Sequence, residues 1–167
     1  MTDNAAGLIA FVVDVFRAVD VADARTLDAD GLVLHSELLI GDSLITIADR
    51  KADWPYTPAF TRVYVDDVHS TLERAAAAGA RIVTEPTDFW GDVLSRFADP
   101  FGNLWWVYKH SSQAAWDDES GSEPAEQAWG ENDDDASWEA YTTPELEYIH
   151  STLVKAMKEL HDPRSQR

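Results

Sequence analysis

Residues 99–106 read Asp-Pro-Phe-Gly-Asn-Leu-Trp-Trp, and this stretch decides the fold. Asp, Pro, Gly and Asn are the residues that tight turns favour, and the apolar, aromatic run that follows is typical of a buried strand. A second extended run, residues 93–98, precedes the turn. The pattern therefore predicts two neighbouring strands, 93–98 and 104–108, joined by a turn at 99–103.

Upstream of this pair, the sequence predicts one further strand on each side of a helix. Residues 60–66 and 81–84 have strand character, and residues 68–78 have helical spacing ended by Gly79. The second half of the domain is thus strand, helix, strand, strand, strand. Its order suggests a compact module of about 55 residues.

The first half repeats part of this order. Apolar residues from Leu8 to Val19 follow helical spacing, and residues 31–40 and 43–48 predict two strands joined by a hairpin turn at Gly41-Asp42. An opening strand is missing. We therefore expect two similar modules, at about 1–55 and 56–112, the first lacking its first strand.

Composition excludes several classes of protein. The 167 residues carry 31 Asp plus Glu against 13 Lys plus Arg, a net charge of −18, and no Cys. Such a charge disfavours nucleic acid, and the lack of Cys excludes disulfide scaffolds and thiolate chemistry. We find neither a membrane-spanning run nor a secretory leader, so we expect a cytoplasmic protein without membrane contact.

The C-terminal third differs from the rest. Residues 1–112 hold 17 acidic and 9 basic residues, whereas residues 113–167 hold 14 and 4. We predict a domain at 1–112, an acidic linker at 113–142 that contains Trp116, Trp129 and Trp138, and an amphipathic helix at 143–162. Its apolar stripe comprises Leu146, Ile149, Leu153, Met157 and Leu160. The stripe should dock on its own domain, on a sister subunit or on another protein.

Several motifs together resemble a known family. Tyr64-Val65-Asp66-Asp67-Val68 before an Ala-rich helix, Asp88-Phe89-Trp90-Gly91-Asp92 and the 99–106 stretch are similar to the closing module of the vicinal-oxygen-chelate superfamily, which includes glyoxalases, bleomycin-resistance proteins and extradiol dioxygenases. Asp30-Gly31 with His35-Ser36-Glu37-Leu38 resembles the opening module of its PhnB-like branch. The resemblance covers about residues 8 to 110. It implies an α+β fold of paired βαβββ modules, whose mixed sheets curl around a cavity, and a homodimer.

The resemblance also implies positions for a divalent metal, held in many members by His, Gln and Glu. These positions map to Phe60, Trp106 and Thr46, and the fourth belongs to the missing strand. Phe and Trp cannot ligate a hard cation. We therefore expect no metal and no other cofactor.

Strand alternation predicts the lining of the cavity. Phe60, Arg62 and Tyr64 should share its concave side with Trp106 and Tyr108. By the resemblance, Trp90 lies over the mouth, and Arg96 partly replaces an Arg that relatives carry beside that loop. Such a wall suits a flat or apolar ligand, with Arg62 free to pair with an anion or to stack on a ring. Alternatively, the aromatic side chains simply fill a collapsed barrel.

His35 and Glu37 are the candidates for catalysis. Two apart on a strand, they share a face and could act as acid and base or as half of a metal site; equally, they could face solvent.

Three functions remain open. The first is a metal-free small-molecule binder like the bleomycin-resistance proteins. The second is a glyoxalase-type lyase or another enzyme of the superfamily. The third is a protein-interaction module that uses the acidic tail and its helix. The tail could also cover the edge exposed by the missing strand, through an extended run at 137–142 or through the terminal helix.

Overall fold

The computed structural model describes residues 1–111 and 142–166 and has the expected α+β fold. The predicted linker, with its three Trp residues and the extended run at 137–142, lies outside the described residues apart from Thr142. The helices of the described part are α1 (Ala5–Phe16), α2 (Val68–Ala77) and α3 (Pro144–Glu159). Its strands are β1 (Val19–Asp20), β2 (Thr26–Leu27), β3 (Val33–His35), β4 (Glu37–Ile40), β5 (Ser43–Thr46), β6 (Phe60–Tyr64), β7 (Arg81–Phe89), β8 (Asp92–Ala98) and β9 (Leu104–Lys109).

The second half forms one four-stranded sheet in the order β6-β9-β8-β7. β6 runs parallel to β9, and the other pairs are antiparallel, so the sheet is mixed. β7 is longer than the predicted 81–84 and contains Pro86. An edge strand with a register shift between Thr84 and Thr87 tolerates a proline, because the missing N–H faces no partner.

The predicted turn between β8 and β9 is held by Asp99. Its buried carboxylate accepts hydrogen bonds from the backbone N–H groups of Phe101 and Asn103, both at 2.9 Å. It also accepts from the Asn103 side-chain amide at 2.9 Å and from the Trp105 indole at 2.8 Å. Gly102 has a positive φ of 86°, which the turn requires.

The first half contains a three-stranded sheet, β1-β4-β5, and the pair β2-β3. α1 ends sooner than predicted, since Arg17 adopts a left-handed conformation at φ 58°. Val19, predicted to be helical, instead pairs with Leu39 across β1 and β4, and that part of the prediction is wrong.

The opening strand is reduced to one bridge at Thr2. The bridge runs parallel to Asp49, as β6 runs parallel to β9. Thr2 N–H donates to the Ala48 carbonyl at 2.9 Å, and Arg50 N–H donates to the Thr2 carbonyl at 2.6 Å. Thr2 therefore stands where the first module would hold its opening strand.

The main core lies between the second sheet and the helices α1 and α2. Phe97 and Trp105 stack there at 6.2 Å between ring centroids, and Phe16 contacts both rings. Val63 and Val107 are buried in the same cluster. The opposite face of the second sheet is therefore the one predicted to be concave.

α3 packs on that opposite face, which we call the α3 face. Ile149 forms a buried cluster with Leu94 and Tyr108. Leu146 and Ile149 of the predicted stripe are buried, whereas Met157 is 45% exposed and Ala156 takes the contact position instead. The small Ala156 side chain lets the helix approach the sheet closely. The side of α3 that contacts the sheet therefore includes Ala156 and excludes Met157.

The segment after α3 contacts the first module. Asp162 accepts two hydrogen bonds from the buried Arg50 guanidinium, at 2.7 and 3.0 Å. Arg164 donates to the carbonyls of Arg50 and Lys51, at 2.6 and 3.0 Å. The tail thus reaches the first module through residues 162–164, while α3 itself lies on the second sheet. None of the three described helices combines the length and the apolar character that a membrane span requires.

Candidate functional site

A row of three side chains crosses the α3 face. Arg62 on β6 is in register with Trp106 on β9, and Trp106 is in register with Arg96 on β8. Because neighbours in register share a face of a sheet, the indole lies between two arginines. We call Arg62, Trp106 and Arg96 the Arg–Trp row.

Both guanidinium groups lie over aromatic rings. Arg62 is 4.7 Å from the centroid of the Tyr108 ring, and Arg96 is 5.2 Å from that of Trp106. At this distance the negative ring face attracts the cation. The rings hold both charges on the sheet surface.

Further aromatic side chains border the row. The Phe60 ring contacts the Trp106 ring edge-on, with 5.9 Å between the centroids, and the centroids of the Tyr64 and Tyr108 rings are 5.6 Å apart. Phe60 and Tyr64 are 50% and 56% exposed, whereas Tyr108 is 4% exposed. α3 therefore covers the Tyr108 side of the face and leaves the β6 side open.

Arg96 is the most enclosed charge of the site. It is 4% exposed, and its Nη1 donates to the Ile149 carbonyl of α3 at 2.8 Å and to Thr84 Oγ1 at 3.3 Å. Its Nε is buried without a hydrogen-bond partner. Burial lowers the pKa of this guanidinium below its ordinary value. Among the described residues, no carboxylate lies within ion-pairing distance of Arg96 or Arg62.

Trp90 lies in the turn between β7 and β8. It has a positive φ of 54°, and its ring stacks on Phe89 at 4.9 Å. Phe89 in turn contacts Tyr108 edge-on at 6.2 Å. Trp90 is exposed, and the ring contacts of Phe89 and Tyr108 connect it to the row.

The predicted pair His35 and Glu37 lies on the first module, away from the row. His35 Nε2 is 3.1 Å from Glu37 Oε1, and both side chains are partly exposed. Among the described residues, no group of three His, Asp or Glu residues gathers around a point where a metal could bind. The pair has the contact that acid–base chemistry needs, without a third ligand.

Sequence reasoning missed a second histidine–carboxylate pair. His110 Nδ1 lies 3.0 Å from the buried Asp92 carboxylate, which also accepts the Ser111 N–H at 2.9 Å. The His110 ring contacts Tyr64 edge-on at 6.5 Å, so this pair borders the α3 face. The signal was the register of β8 with β9, which brings positions 92 and 110 to the same end of the sheet.

The positions that the family resemblance assigns to a metal do not fit one. Phe60 and Trp106 fill two of them with rings 5.9 Å apart, and Thr46 stands at a third. Two rings and one neutral hydroxyl cannot supply the oxygen or imidazole donors that a hard divalent cation needs.

Comparison with known proteins agrees with this fold. The model of the glyoxalase/bleomycin resistance protein/dioxygenase superfamily matches residues 3–107. The chain belongs to this superfamily, as the sequence motifs predicted. The match is to the superfamily as a whole, and the PhnB-like branch stays a prediction.

The chain is similar in sequence to a mycobacterial protein and in structure to proteins from other bacteria. An uncharacterised protein of Mycobacterium bovis is 33% identical over 117 residues, covering 63% of this chain and 76% of the relative. The crystal structure of TioX from Micromonospora sp. ML1 is similar with a TM-score of 0.51 and 25% identity, over 66% of this chain and 90% of TioX. A fosfomycin resistance protein, FosX, from Listeria monocytogenes shares the fold with a TM-score of 0.51 and 18% identity, over 64% and 84% of the two chains.

Proposed function

We propose that this protein binds a flat small molecule on the α3 face without help from a metal. The observation that carries the proposal is the Arg–Trp row, an indole flanked by two arginines that no described carboxylate neutralises. A ring stacked on an exposed aromatic wall gains burial, and the arginines orient its polar groups. The proposed ligand-binding residues are those predicted: Phe60, Arg62, Tyr64, Trp90, Arg96, Trp106 and Tyr108.

The open part of the face supports this proposal. Phe60 and Tyr64 are half exposed although both are large aromatic residues, and Arg62 lies beside them over Tyr108. Exposed aromatic clusters with a cation are unusual on a surface that only contacts water. The collapsed-barrel alternative would bury these two rings.

A thermal-shift screen tests the function. Purified protein in the presence of a chelator is heated with a panel of flat aromatic acids, neutral aromatic compounds and cationic drugs. A ligand that binds only the folded state at a hundredfold excess over Kd stabilises it by about 2.7 kcal/mol, which raises Tm by several degrees.

Two variants locate the binding. Arg62→Gln should lower the affinity for the ligand about tenfold or more, because a charged hydrogen bond or a cation–ring contact is lost. Arg25→Gln removes an arginine from the first module, where it pairs with Asp20, and serves as the matched control. A ligand that binds both variants equally, or a panel without any Tm shift, would contradict this site.

An enzyme of the superfamily remains the second candidate. The Asp92–His110 pair supports it, since a histidine held by a buried carboxylate beside Tyr64 has the arrangement of a general base. Turnover of a panel ligand that is lost in His110→Ala, and kept in the exposed His69→Ala, would favour this candidate over simple binding.

We further propose that the protein forms a homodimer. Val19, Leu39 and Leu44 are in register on adjacent strands of the first sheet, and all three are exposed. A continuous aliphatic stripe of this kind is typical of a surface that another protein covers. The interaction-module alternative loses some support, because Leu146 and Ile149 are buried against the chain's own sheet.

A further inference from the structure

Hydrogen bonds, buried side chains and one ion pair hold α3 on the α3 face. Besides the Arg96–Ile149 hydrogen bond, the hydroxyls of Thr84 and Thr152 are 2.8 Å apart. At the edge, the Glu85 N–H donates to the Tyr148 hydroxyl at 3.0 Å. Three buried side chains of the helix also belong to the interface: Leu146, Ile149 and Ala156. In the last turn of α3, Glu159 pairs with Arg81 of β7 at 3.2 Å. A single helix held by contacts of this kind can leave the sheet in a local opening, without global unfolding of the chain.

The Arg96 guanidinium, which lies beneath the helix, has few hydrogen-bond acceptors. A buried guanidinium is stable when a carboxylate or several acceptors surround it. Arg96 has one carbonyl and one hydroxyl, and its Nε has no partner. An anion that reached Arg96 would offer two oxygens to the same edge of the guanidinium, a bidentate contact stronger than a single carbonyl supplies.

The Arg–Trp row has the dimensions of a small aromatic acid. Arg62 and Arg96 stand on strands two places apart in the sheet, so their backbones are about 10 Å apart, with the indole of Trp106 between them. A fused two-ring system can lie on that indole with an acidic substituent beside either guanidinium. Thr84, Phe60 and Tyr108 contact the row and are neutral, so they do not repel an acidic group.

We propose that Arg96 binds the acidic group of an aromatic carboxylate, sulfonate or phosphonate, and that α3 is the lid of this site. In the closed form the Ile149 carbonyl accepts a hydrogen bond from the Arg96 guanidinium. In the open form α3 leaves the face, and the ligand's acidic group takes the carbonyl's place while its rings lie on Trp106. This inference rests on the proposed function and adds the class of ligand and the moving part.

A disulfide lock tests the lid in the full chain. The protein has no Cys, so Thr84→Cys with Thr152→Cys introduces a single pair of thiols at the point where the two hydroxyls meet. The probe is 8-anilino-1-naphthalenesulfonate, whose fluorescence rises on binding. The reduced variant should bind the probe, the oxidised variant should bind it about tenfold more weakly or not at all, and a reductant should restore binding.

A matched pair of probes tests the acidic group. N-phenyl-1-naphthylamine has the same rings without the sulfonate. The wild-type chain should prefer the sulfonate about tenfold, and Arg96→Gln should abolish the preference while Arg25→Gln keeps it. Arg25 lies in the first module, where it pairs with Asp20 and not with α3. If Arg96→Gln fails to fold by circular dichroism, Ile149→Ser provides the second test, since a weakened lid should raise the sulfonate affinity severalfold.

The outcomes separate the two proposals. Equal sulfonate binding by the oxidised and reduced forms overturns the lid. If the wild-type chain binds the two probes equally, and neither Arg96→Gln nor Ile149→Ser changes the sulfonate affinity, the assignment of an anion to Arg96 is overturned. The proposed function is then supported by any neutral compound that raises Tm. A chain that binds neither probe and shows no Tm shift with any panel compound overturns the proposed function, and this inference with it.

Discussion

Asp99 organises the turn that joins the two central strands of the second sheet. Its carboxylate satisfies four donors, two of them backbone N–H groups of the turn and one the indole of the buried Trp105. Burial raises the pKa of Asp99, and the hydrogen bonds oppose that rise. Burying the side chain therefore costs free energy, and its hydrogen bonds to four donors of the described residues offset that cost.

Replacing Asp99 by Ala should destabilise the protein by about 2–4 kcal/mol, because several buried donors lose their acceptor. Urea denaturation measures the change as a lower midpoint. The exposed Asp88→Ala on β7 is the control and should change stability by less than about 0.5 kcal/mol. A midpoint for Asp99→Ala equal to that of the control would show that water replaces the carboxylate without penalty.

Individual residues of the site differ in how far sequence predicts them. Alternation along β6 and β9 correctly placed Arg62 beside Trp106, since a strand repeats every two residues. The burial of Arg96 was not predictable in this way, because it arises from a helix more than fifty positions further along the chain. Local patterns fix which face a side chain takes, and long-range docking fixes whether that face is covered.

At the scale of elements, α3 begins where its capping signals predict. Thr143 Oγ1 accepts the Leu146 N–H at 3.3 Å, and Pro144 takes the first helical position. Thr143→Ala should destabilise the helix by about 1 kcal/mol, so hydrogen exchange of its amides should quicken about fivefold. Ser151→Ala, on the exposed side of α3, should leave exchange unchanged or slower. Equal rates in Thr143→Ala and the wild type would show that the Thr143 cap does not stabilise α3.

The order of elements was more predictable than their lengths. Turn residues located the junction at 99–103, and periodicity located α2 to within a residue of its end. β7 extends five residues past its predicted end, because pairing with β8 draws residues 85–89 into the sheet despite Pro86. Cross-strand hydrogen bonds, which no single segment encodes, decide such lengths.

The contact of Asp162 with Arg50 should make stability depend on pH. The Arg50 guanidinium and the Arg164 N–H hold the pKa of Asp162 below its ordinary value. The pair therefore contributes fully above the ordinary Asp pKa of about 3.9, and the contribution is lost as pH falls through the lower pKa of the folded state.

Thermal unfolding of Asp162→Asn and the wild type measures this linkage. The wild type should melt higher at neutral pH, and the two Tm values should converge as pH falls below the ordinary Asp pKa of about 3.9 and through the lower pKa of the folded state. Asp53→Asn, at an exposed position, controls for the loss of one negative charge. A Tm difference that stays constant down to the lowest pH would refute the linkage.

At the scale of the whole molecule, the tail joins the two modules. α3 lies on the second sheet, and residues 162–164 bind the carbonyls and side chain at 50–51 of the first module. The module whose opening strand is reduced to Thr2 thus gains contacts from the far end of the chain. The same segment lies against the β8–β9 turn, where a Cβ at Gly102 would meet Pro163 at 3.1 Å. Residues 142–166 therefore contact both halves of the domain, and α3 covers Arg96 of the proposed site.

The aliphatic stripe of the first sheet carries the last prediction, which concerns assembly. Val19, Leu39 and Leu44 form one exposed line across three strands, and a second copy would remove this line from water. Sedimentation velocity should find twice the chain mass of 18.6 kDa at micromolar concentration. Leu39→Lys with Leu44→Lys should give the monomer, since two buried like charges oppose association. Val154→Lys, on the exposed side of α3, is the control and should stay dimeric. A wild-type chain that sediments as a monomer throughout would leave the stripe without a second copy to cover it.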